Sequence, residues 1–236
     1  MVFALLTTAA CNQHESVTDE QPSHQIAATG SSQCKSCHPA FYQKWATSHH
    51  GLAMQPFSAE LAKSVLEPQK DAITIGGFTY RVVLEGETGF VEESGPKGVR
   101  RLPMLQAMGG KNTYYFLTPM ERGRLQVLPL AYGIRKKSWY DMSASGVRMH
   151  AEGPADRPIP WTDPAFTFNT SCHVSQLRTN YDLKNDAYNS RWREPGINCE
   201  TCHGDGEAHV TLYKKDETAR HLLVAPELPT GGYHSV

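Results

Sequence analysis

The sequence predicts an α+β fold, in which helical and irregular segments at both ends of the chain flank an inserted antiparallel β-meander. Aromatic residues at positions 41, 42 and 45 follow helical spacing, which predicts a helix over about residues 34–51, and a shorter helix is predicted over 59–66. Short runs rich in Val, Ile, Tyr, Phe and Thr, separated by Gly and Pro, favour five or six strands between residues about 72 and 132. The predicted strands cover 72–75, 78–84, 90–93, 114–117 and 125–130. Residues 132–169 mix aromatics with Pro and are predicted to be irregular.

The motif Cys-x-x-Cys-His occurs twice in full, at residues 34–38 and 199–203. A reduced copy at residues 169–173 has Asn169 where the first Cys would stand. In this motif two thiols add to the vinyl groups of haem, and the following His binds the iron. The sequence therefore predicts two complete haem c sites, a third site with a single Cys, and end segments that wrap these groups. The attachment residues are Cys34, Cys37, Cys172, Cys199 and Cys202, and the proximal iron ligands are His38, His173 and His203.

Two other uses of these cysteines remain as alternatives. The four cysteines of the complete motifs could hold zinc, but paired zinc ligands usually lie closer together in sequence and need no His after each pair. They could also form disulfides in an exported chain, which again leaves the repeated His unexplained. The covalent haem interpretation explains both the cysteines and the histidines.

Composition limits the function classes further. The chain has 236 residues, enough for one sizeable domain, and a formal net charge of −1 with no basic block, which disfavours nucleic acid as a partner. Hydrophobic residues make up 39%, so haem could supply part of the core. Eleven His residues are many for this length and would suit bis-histidine iron ligation.

The first residues indicate export. Residues 1–11 form a short apolar segment that ends in small residues before Cys11, as in a bacterial lipoprotein cleavage site, so Cys11 is a candidate lipid anchor. Residues 12–32 are polar and are predicted to be a flexible tether. We expect a periplasmic or cell-surface location, with membrane attachment only through this lipid, because no other stretch is long and apolar enough to span a bilayer.

The segment Trp45-x-x-Ser48-x-His50-x-x-Ala53-Met54 resembles the tetrahaem cytochrome and hydroxylamine oxidoreductase group. In that group the resemblance implies that His50 is a distal iron ligand, with His49 as runner-up. If residues 34–51 are helical, His50 lies about 18 Å from His38 along the axis. It would then serve a haem other than the one attached beside His38.

The region 165–215 more closely resembles the multihaem cytochrome domain that precedes tetratricopeptide repeats in bacterial exported proteins. The matching runs are Phe168 to Leu177, Asn180-Tyr181-Asp182 and Glu194 to Gly204. The resemblance implies a cytochrome domain over residues 33–215, with residues 72–132 as the β insert and 216–236 as a tail. It also implies that His209 is a distal ligand. As with His50, six residues of helix would place it about 9 Å from His203, so it should serve another haem.

His150, isolated in an irregular stretch, is a third distal candidate, and His221 is a further runner-up. Three proximal and three distal histidines would leave every iron six-coordinate, which predicts an electron carrier rather than an enzyme. The alternatives are a reductase or oxidase of small nitrogen or sulfur compounds at an open haem, and a redox-sensing interaction module. Redox proteins, including other multihaem cytochromes, are the expected partners. Pairing of ligands between motifs predicts that residues 34–55 pack against residues 165–215.

Overall fold

The computed structural model describes residues 30–142, 159–169 and 171–215, and these contain five α-helices and twelve β-strands. Proline, serine and asparagine set three of the helix starts. Pro39 occupies the first turn of α2, the Ser58 side chain accepts a hydrogen bond from the Leu61 amide at the start of α3, and Asn198 does the same for Thr201 in α4. The helices are α1 Ser32–Lys35, α2 Pro39–Ala46, α3 Ala59–Val65, α4 Cys199–His203 and α5 Glu207–Lys215. None of the described helices has the length and apolar composition of a membrane span.

A four-stranded antiparallel sheet follows α3 and is a true meander. Its strands pair in the order β2-β3-β4-β5. The turn between the first two strands is Gly76-Gly77, where both residues have positive φ angles, as a two-residue hairpin requires. The strands are β2 Ile73–Ile75, β3 Phe78–Glu85, β4 Thr88–Gly95 and β5 Gly98–Pro103.

A second antiparallel sheet draws strands from both sides of the meander. Its order is β1-β6-β7-β9-β10, with β8 paired to β7. The strands are β1 Met54–Pro56, β6 Gln106–Gly109, β7 Thr113–Pro119, β8 Leu125–Val127, β9 Leu130–Gly133 and β10 Ser138–Asp141. A two-stranded sheet of β11 Val174–Ser175 and β12 Glu194–Pro195 completes the described strands.

The hydrophobic core lies mainly between the two larger sheets and α3. Tyr80, Val91, Phe116 and Tyr132 are buried there, with Leu61 contributed by α3. A second cluster joins the larger sheet to the region of the reduced motif, and it consists of Met54, Met108, Leu117, Leu125, Phe168, Val174 and Trp192. This second cluster holds the larger sheet and the segments around the reduced motif together.

The predicted α+β class is wrong. Strand residues make up 36% of the described chain and helical residues only 23%, so the sheets rather than haem-wrapping helices form the framework. The strands predicted over 72–75, 78–84, 90–93 and 114–117 are present as β2, β3, β4 and β7, whereas the single strand predicted over 125–130 is two strands, β8 and β9. The sheets also use β1, β10, β11 and β12 outside the predicted range. The sheets are therefore not an insert between two helical end segments.

The single helix predicted over residues 34–51 is also wrong. It is two short helices, because the chain leaves helical geometry at His38, where φ is −120° and ψ is 51°, and Pro39 starts a new helix. This second helix ends at Ala46, so the axial distance expected between His38 and His50 does not apply. The helix predicted over 59–66 is present as α3.

Candidate functional site

The first complete motif is a compact turn. Cys34 lies in α1, and the His38 amide donates to the Cys34 carbonyl at 2.8 Å, which closes one helical turn around the motif. Cys34 is half-buried and Cys37 is exposed. Both cysteines and the following His therefore lie in one local turn, as the motif requires for attachment to one macrocycle.

The last complete motif is the helix α4 itself. The Asn198 side chain caps its start, and the Gly204 amide donates to the Glu200 carbonyl at its end. The Glu200 carboxylate, between the two cysteines, accepts from Arg193 at 2.5 Å and from the Gly206 amide at 3.1 Å. Cys199 is half-buried and Cys202 is exposed, the same pattern as in the first motif.

The two complete motifs meet at Ser31, which is 1% exposed. The Ser31 amide donates to the Glu194 carboxylate at 2.9 Å, and its hydroxyl accepts from the Cys199 amide at 3.2 Å. Burial, followed by the neighbouring Cys199 thiol, raises the pKa of the Cys34 thiol to about 11.

The reduced motif is tied to the same region by its histidine. His173 Nδ1 lies 3.0 Å from the Ala53 carbonyl oxygen, and the His173 carbonyl accepts from the Gly196 amide at 3.0 Å. Cys172 is exposed. A hydrogen bond from Nδ1 to a carbonyl selects the tautomer in which Nε2 carries the lone pair, the arrangement typical of an iron-binding histidine.

The end of α2 and the segment after it are held against the segment before α4. Trp45 Nε1 donates to the Ile197 carbonyl at 2.7 Å, and the Ile197 amide donates to the His50 carbonyl at 2.9 Å. Gly196 adjoins the same carbonyl and that of Gly51. The predicted packing of residues 34–55 against residues 165–215 is therefore present.

Of the distal candidates, His209 lies beside a proximal ligand. The ring centroids of His38 and His209 are 6.2 Å apart, and the ring planes are inclined by 24°. His209 also contacts Tyr213, one turn further along α5, at a centroid distance of 4.7 Å. The described chain thus brings a histidine of the last region to the histidine of the first motif.

The remaining candidates are placed less fully. His50 is exposed, and its backbone carbonyl accepts the hydrogen bond from the Ile197 amide. His49 lines a cavity of about 280 Å³ together with Leu52, Lys111, Thr113 and Tyr115. His203 is exposed at the end of α4. The predicted roles of Cys11, His150 and His221 fall on residues outside those that the structure describes.

The zinc alternative has no support from the side-chain arrangement. In residues 30–142, 159–169 and 171–215, no three His, Cys, Asp or Glu side chains are grouped as a metal site would require. The Cys34 and Cys199 thiols are neighbours, but Cys37 and Cys202 do not join them in such a group. The cysteines instead form two local turns, each followed by its own histidine.

Comparison with known proteins bears on the first motif. Residues 33–75 match the family described as cytochrome c554 and c-prime. This match supports a c-type cytochrome. A protein of this class carries haem c with iron and transfers electrons. The match includes the first complete motif, Trp45 and His50.

A solved structure of the outer cell wall cytochrome OcwA is similar to the chain at a TM-score of 0.44 and 16% sequence identity. The similarity covers 80% of this chain and 34% of that one, so the chain spans about a third of the length of OcwA. A comparison with curated proteins gave no match.

The motifs alone do not reveal several residues that position the site. Ser31 lies at the end of the segment predicted as a tether, and nothing in its sequence context indicates burial. The Ala53 carbonyl and Gly196 act through the backbone, which residue type does not report. Trp45 and Glu194 stand within the runs that resemble known cytochromes, and this was the only signal for them.

Proposed function

We propose that the chain is a multihaem electron carrier in which histidines from distant segments supply the sixth ligand of each haem iron. Haem c would be held by Cys34, Cys37 and His38 at the first site and by Cys199, Cys202 and His203 at the last. The group supplies a one-electron ferric–ferrous couple. The support is the geometry of the two motif turns and the family match over residues 33–75.

The observation that carries this proposal is the spacing of His38 and His209. Two imidazoles that bind one iron through nitrogens at roughly 2 Å have ring centres about 6.3 Å apart, if each ring centre lies about 1.15 Å beyond its nitrogen. The observed centroid distance of 6.2 Å is close to this spacing, but the two rings are stacked in this structure, so binding one iron requires them to turn their nitrogens toward it. A six-coordinate iron has no position for substrate, so such a site transfers electrons and performs no chemistry on a bound molecule.

The middle site fits a third haem held by Cys172 alone. Its histidine already has the hydrogen bond from Nδ1 to the Ala53 carbonyl that an iron ligand needs, at 3.0 Å. Cys172 is exposed and adjacent. One thioether and one iron–histidine bond would hold the group, and His50 and His150 remain the distal candidates for the second and third irons.

The proposed setting is outside the cytoplasm, since c-type haem is attached there. We propose a periplasmic or cell-surface location, with Cys11 as a lipid anchor and redox proteins, including other multihaem cytochromes, as partners. The net charge of −1 offers no electrostatic attraction for nucleic acid.

The test is His209→Ala in the haem-loaded protein, with His234→Ala, at a histidine that has no proposed ligand role, as the control. We expect His209→Ala to convert one haem to the high-spin state in electron paramagnetic resonance, because the iron beside His38 loses its sixth ligand. The covalent haem count by mass spectrometry should stay at the value of the unaltered protein. His234→Ala should leave all spectra unchanged.

Two results would contradict the proposal. If His209→Ala leaves every iron low-spin, His209 is not a ligand. If the unaltered protein already contains a high-spin haem, one iron has an open sixth position. The reductase or oxidase alternative is then favoured over the electron carrier. The same mass measurement tests the middle site, since Cys172→Ser should lower the count by one haem only if that haem is attached.

A further inference from the structure

Residues 174–195 fold back on themselves as a two-stranded ribbon, in which two arginines lie directly opposite each other. Arg178 and Arg191 exchange both backbone hydrogen bonds, at 2.7 and 2.8 Å, and form an antiparallel bridge. In such a pair both side chains leave the same face of the ribbon, with Cβ atoms about 5 Å apart. Like charges that face each other in this way destabilise the pairing, so the arrangement calls for an offsetting group.

The charges of these two arginines have no partner within the chain. Neither side chain forms an ion pair within residues 30–142, 159–169 and 171–215. Arg178 is exposed, whereas Arg191 is partly buried, and its Nη1 is buried without a hydrogen-bond partner. Guanidinium stays protonated in proteins, and a buried donor of a charged group that lacks an acceptor is costly. The unpaired Nη1 therefore points to a ligand with acceptor oxygens.

The base of this ribbon carries the reduced motif and contacts the last motif. β11 begins directly after His173, and the Thr201 hydroxyl of α4 donates to the Ser175 hydroxyl at 3.0 Å. On the opposite strand Arg193 donates to the Glu200 carboxylate of α4. The arginine pair lies three positions beyond Ser175, which is at most about 10 Å along a strand. Groups attached at either motif are therefore close neighbours of the pair.

We propose that Arg178 and Arg191 together bind one carboxylate, and that a propionate of a haem attached at the base of the ribbon supplies it. The inference rests on the proposed function, because it requires haem at Cys172 or at the cysteines of α4. Guanidinium groups present planar pairs of N–H donors, which match the two oxygens of a carboxylate. A carboxylate between the two arginines would pair the buried Nη1 and offset the repulsion of the like charges.

Such a pair would also influence electron transfer. Reduction removes one positive charge from the iron centre, so a fixed positive charge nearby favours the ferrous state. Arg193 contributes less to this effect, because Glu200 already neutralises it. A carboxylate from solution, such as acetate, has the same oxygen acceptors as a propionate, so the experiment must separate the two sources.

The experiment compares Arg178→Gln with the unaltered protein, both haem-loaded, by thermal unfolding and by redox titration. Arg178 is exposed, so its replacement removes the charge without opening the core. We expect a lower unfolding midpoint and, for one haem, a ferrous-to-ferric ratio lowered roughly threefold at a fixed applied potential. Without a bound carboxylate, removing one of two opposed charges would instead raise the unfolding midpoint.

Two further variants sharpen the comparison. Arg135→Gln makes the same chemical change at an exposed arginine between β9 and β10, and it should leave both the unfolding midpoint and the haem ratio unchanged. Arg178→Lys keeps the positive charge but not the planar pair of donors. It should keep the haem ratio and lose part of the stability, which distinguishes binding of a carboxylate from the effect of charge alone.

Replacing chloride with acetate at constant ionic strength separates the two sources. If a propionate occupies the pair, acetate changes neither the unaltered protein nor Arg178→Gln. If acetate raises the unfolding midpoint of the unaltered protein and not that of Arg178→Gln, the carboxylate site stands and free carboxylate fills it.

Two outcomes of these measurements would overturn the inference. The first is an unfolding midpoint of Arg178→Gln equal to or above that of the unaltered protein. The second is a lower midpoint with neither a change in the haem ratio nor an effect of acetate. The proposed function fails separately, if mass spectrometry finds no covalent haem, and acetate stabilisation through Arg178 can still be measured in that case. If haem is attached and either overturning outcome occurs, only this inference fails.

Discussion

Gly196 is the position where a single added methyl group should separate the motif segments. Its φ is +79°, and a Cβ would lie 2.9 Å from the Gly51 carbonyl oxygen and 3.0 Å from that of His50. Both contacts are with backbone, which cannot turn aside as a flexible side chain would. Gly196→Ala must therefore displace the turn after α2 from the segment before α4.

The magnitude can be worked from a matched control. Gly77 has a similar φ of +84°, but a Cβ there meets nothing within 4 Å, so Gly77→Ala has the backbone strain alone, roughly 1–2 kcal/mol. Gly196→Ala adds the loss of two hydrogen bonds, from Ile197 to His50 and from Gly196 to His173, at about 1 kcal/mol each. We expect it to lower the free energy of unfolding by about 2 kcal/mol more than Gly77→Ala.

The assay is guanidinium unfolding of both haem-loaded variants, followed by far-ultraviolet circular dichroism. Haem spectra before unfolding should change in Gly196→Ala and not in Gly77→Ala, because only the first position adjoins His50 and His173. Equal losses of stability in the two variants, with unchanged spectra in both, would show that the contact at Gly196 does not hold the site together.

Three further predictions concern buried groups. Glu93→Gln should lower the free energy of unfolding by about 1–3 kcal/mol, because Gln keeps one oxygen for Tyr80 and Trp161 but places an amide NH2 against Arg100, which now donates to the second carboxylate oxygen; a thermal unfolding midpoint equal to that of the unaltered protein would contradict this. Burial and the bond to Glu93 raise the pKa of Tyr80, so the folded chain keeps this proton after the unfolded chain loses it. The free energy of unfolding should then fall as the pH rises above about 10, and less steeply in Tyr80→Phe, as denaturant titrations at several pH values would show. Trp45→Phe should lower the free energy of unfolding by about 1 kcal/mol, because it removes the hydrogen bond to the Ile197 carbonyl. An unchanged unfolding midpoint would show that this bond does not stabilise the fold.

The strands that could be predicted are those with a clear sequence signal. β3 reads Phe-Thr-Tyr-Arg-Val-Val-Leu-Glu and follows a Gly-Gly turn, so its residue types and its turn agree. β5 contains two adjacent arginines and is mostly exposed, and β6 has no β-branched residue, so neither resembles a strand in isolation. They are strands because their neighbours pair with them, which a local pattern cannot report.

The candidate site divides in the same way. The motif residues at 34–38 and 199–203 could be predicted because the spacing is itself the chemistry of attachment. The proximity of His38 to His209 could be expected only in general terms, since it depends on how α5 packs after Gly204. The roles of Ser31 and Gly196 in holding the motif segments together could not be predicted, because they arise from backbone contacts between segments far apart in sequence.

The hydrogen bonds of Ser31 also affect when the two complete motifs come together during synthesis. Its bonds to Glu194 and Cys199 span 163 and 168 positions, so they form only after nearly the whole described chain has been synthesised. Contacts at such separation form late, whereas the hairpins of the meander need only nearby partners. The first motif is therefore open to its surroundings from its emergence until α4 and α5 arrive. The last motif can reach its partner segment almost as soon as it is made.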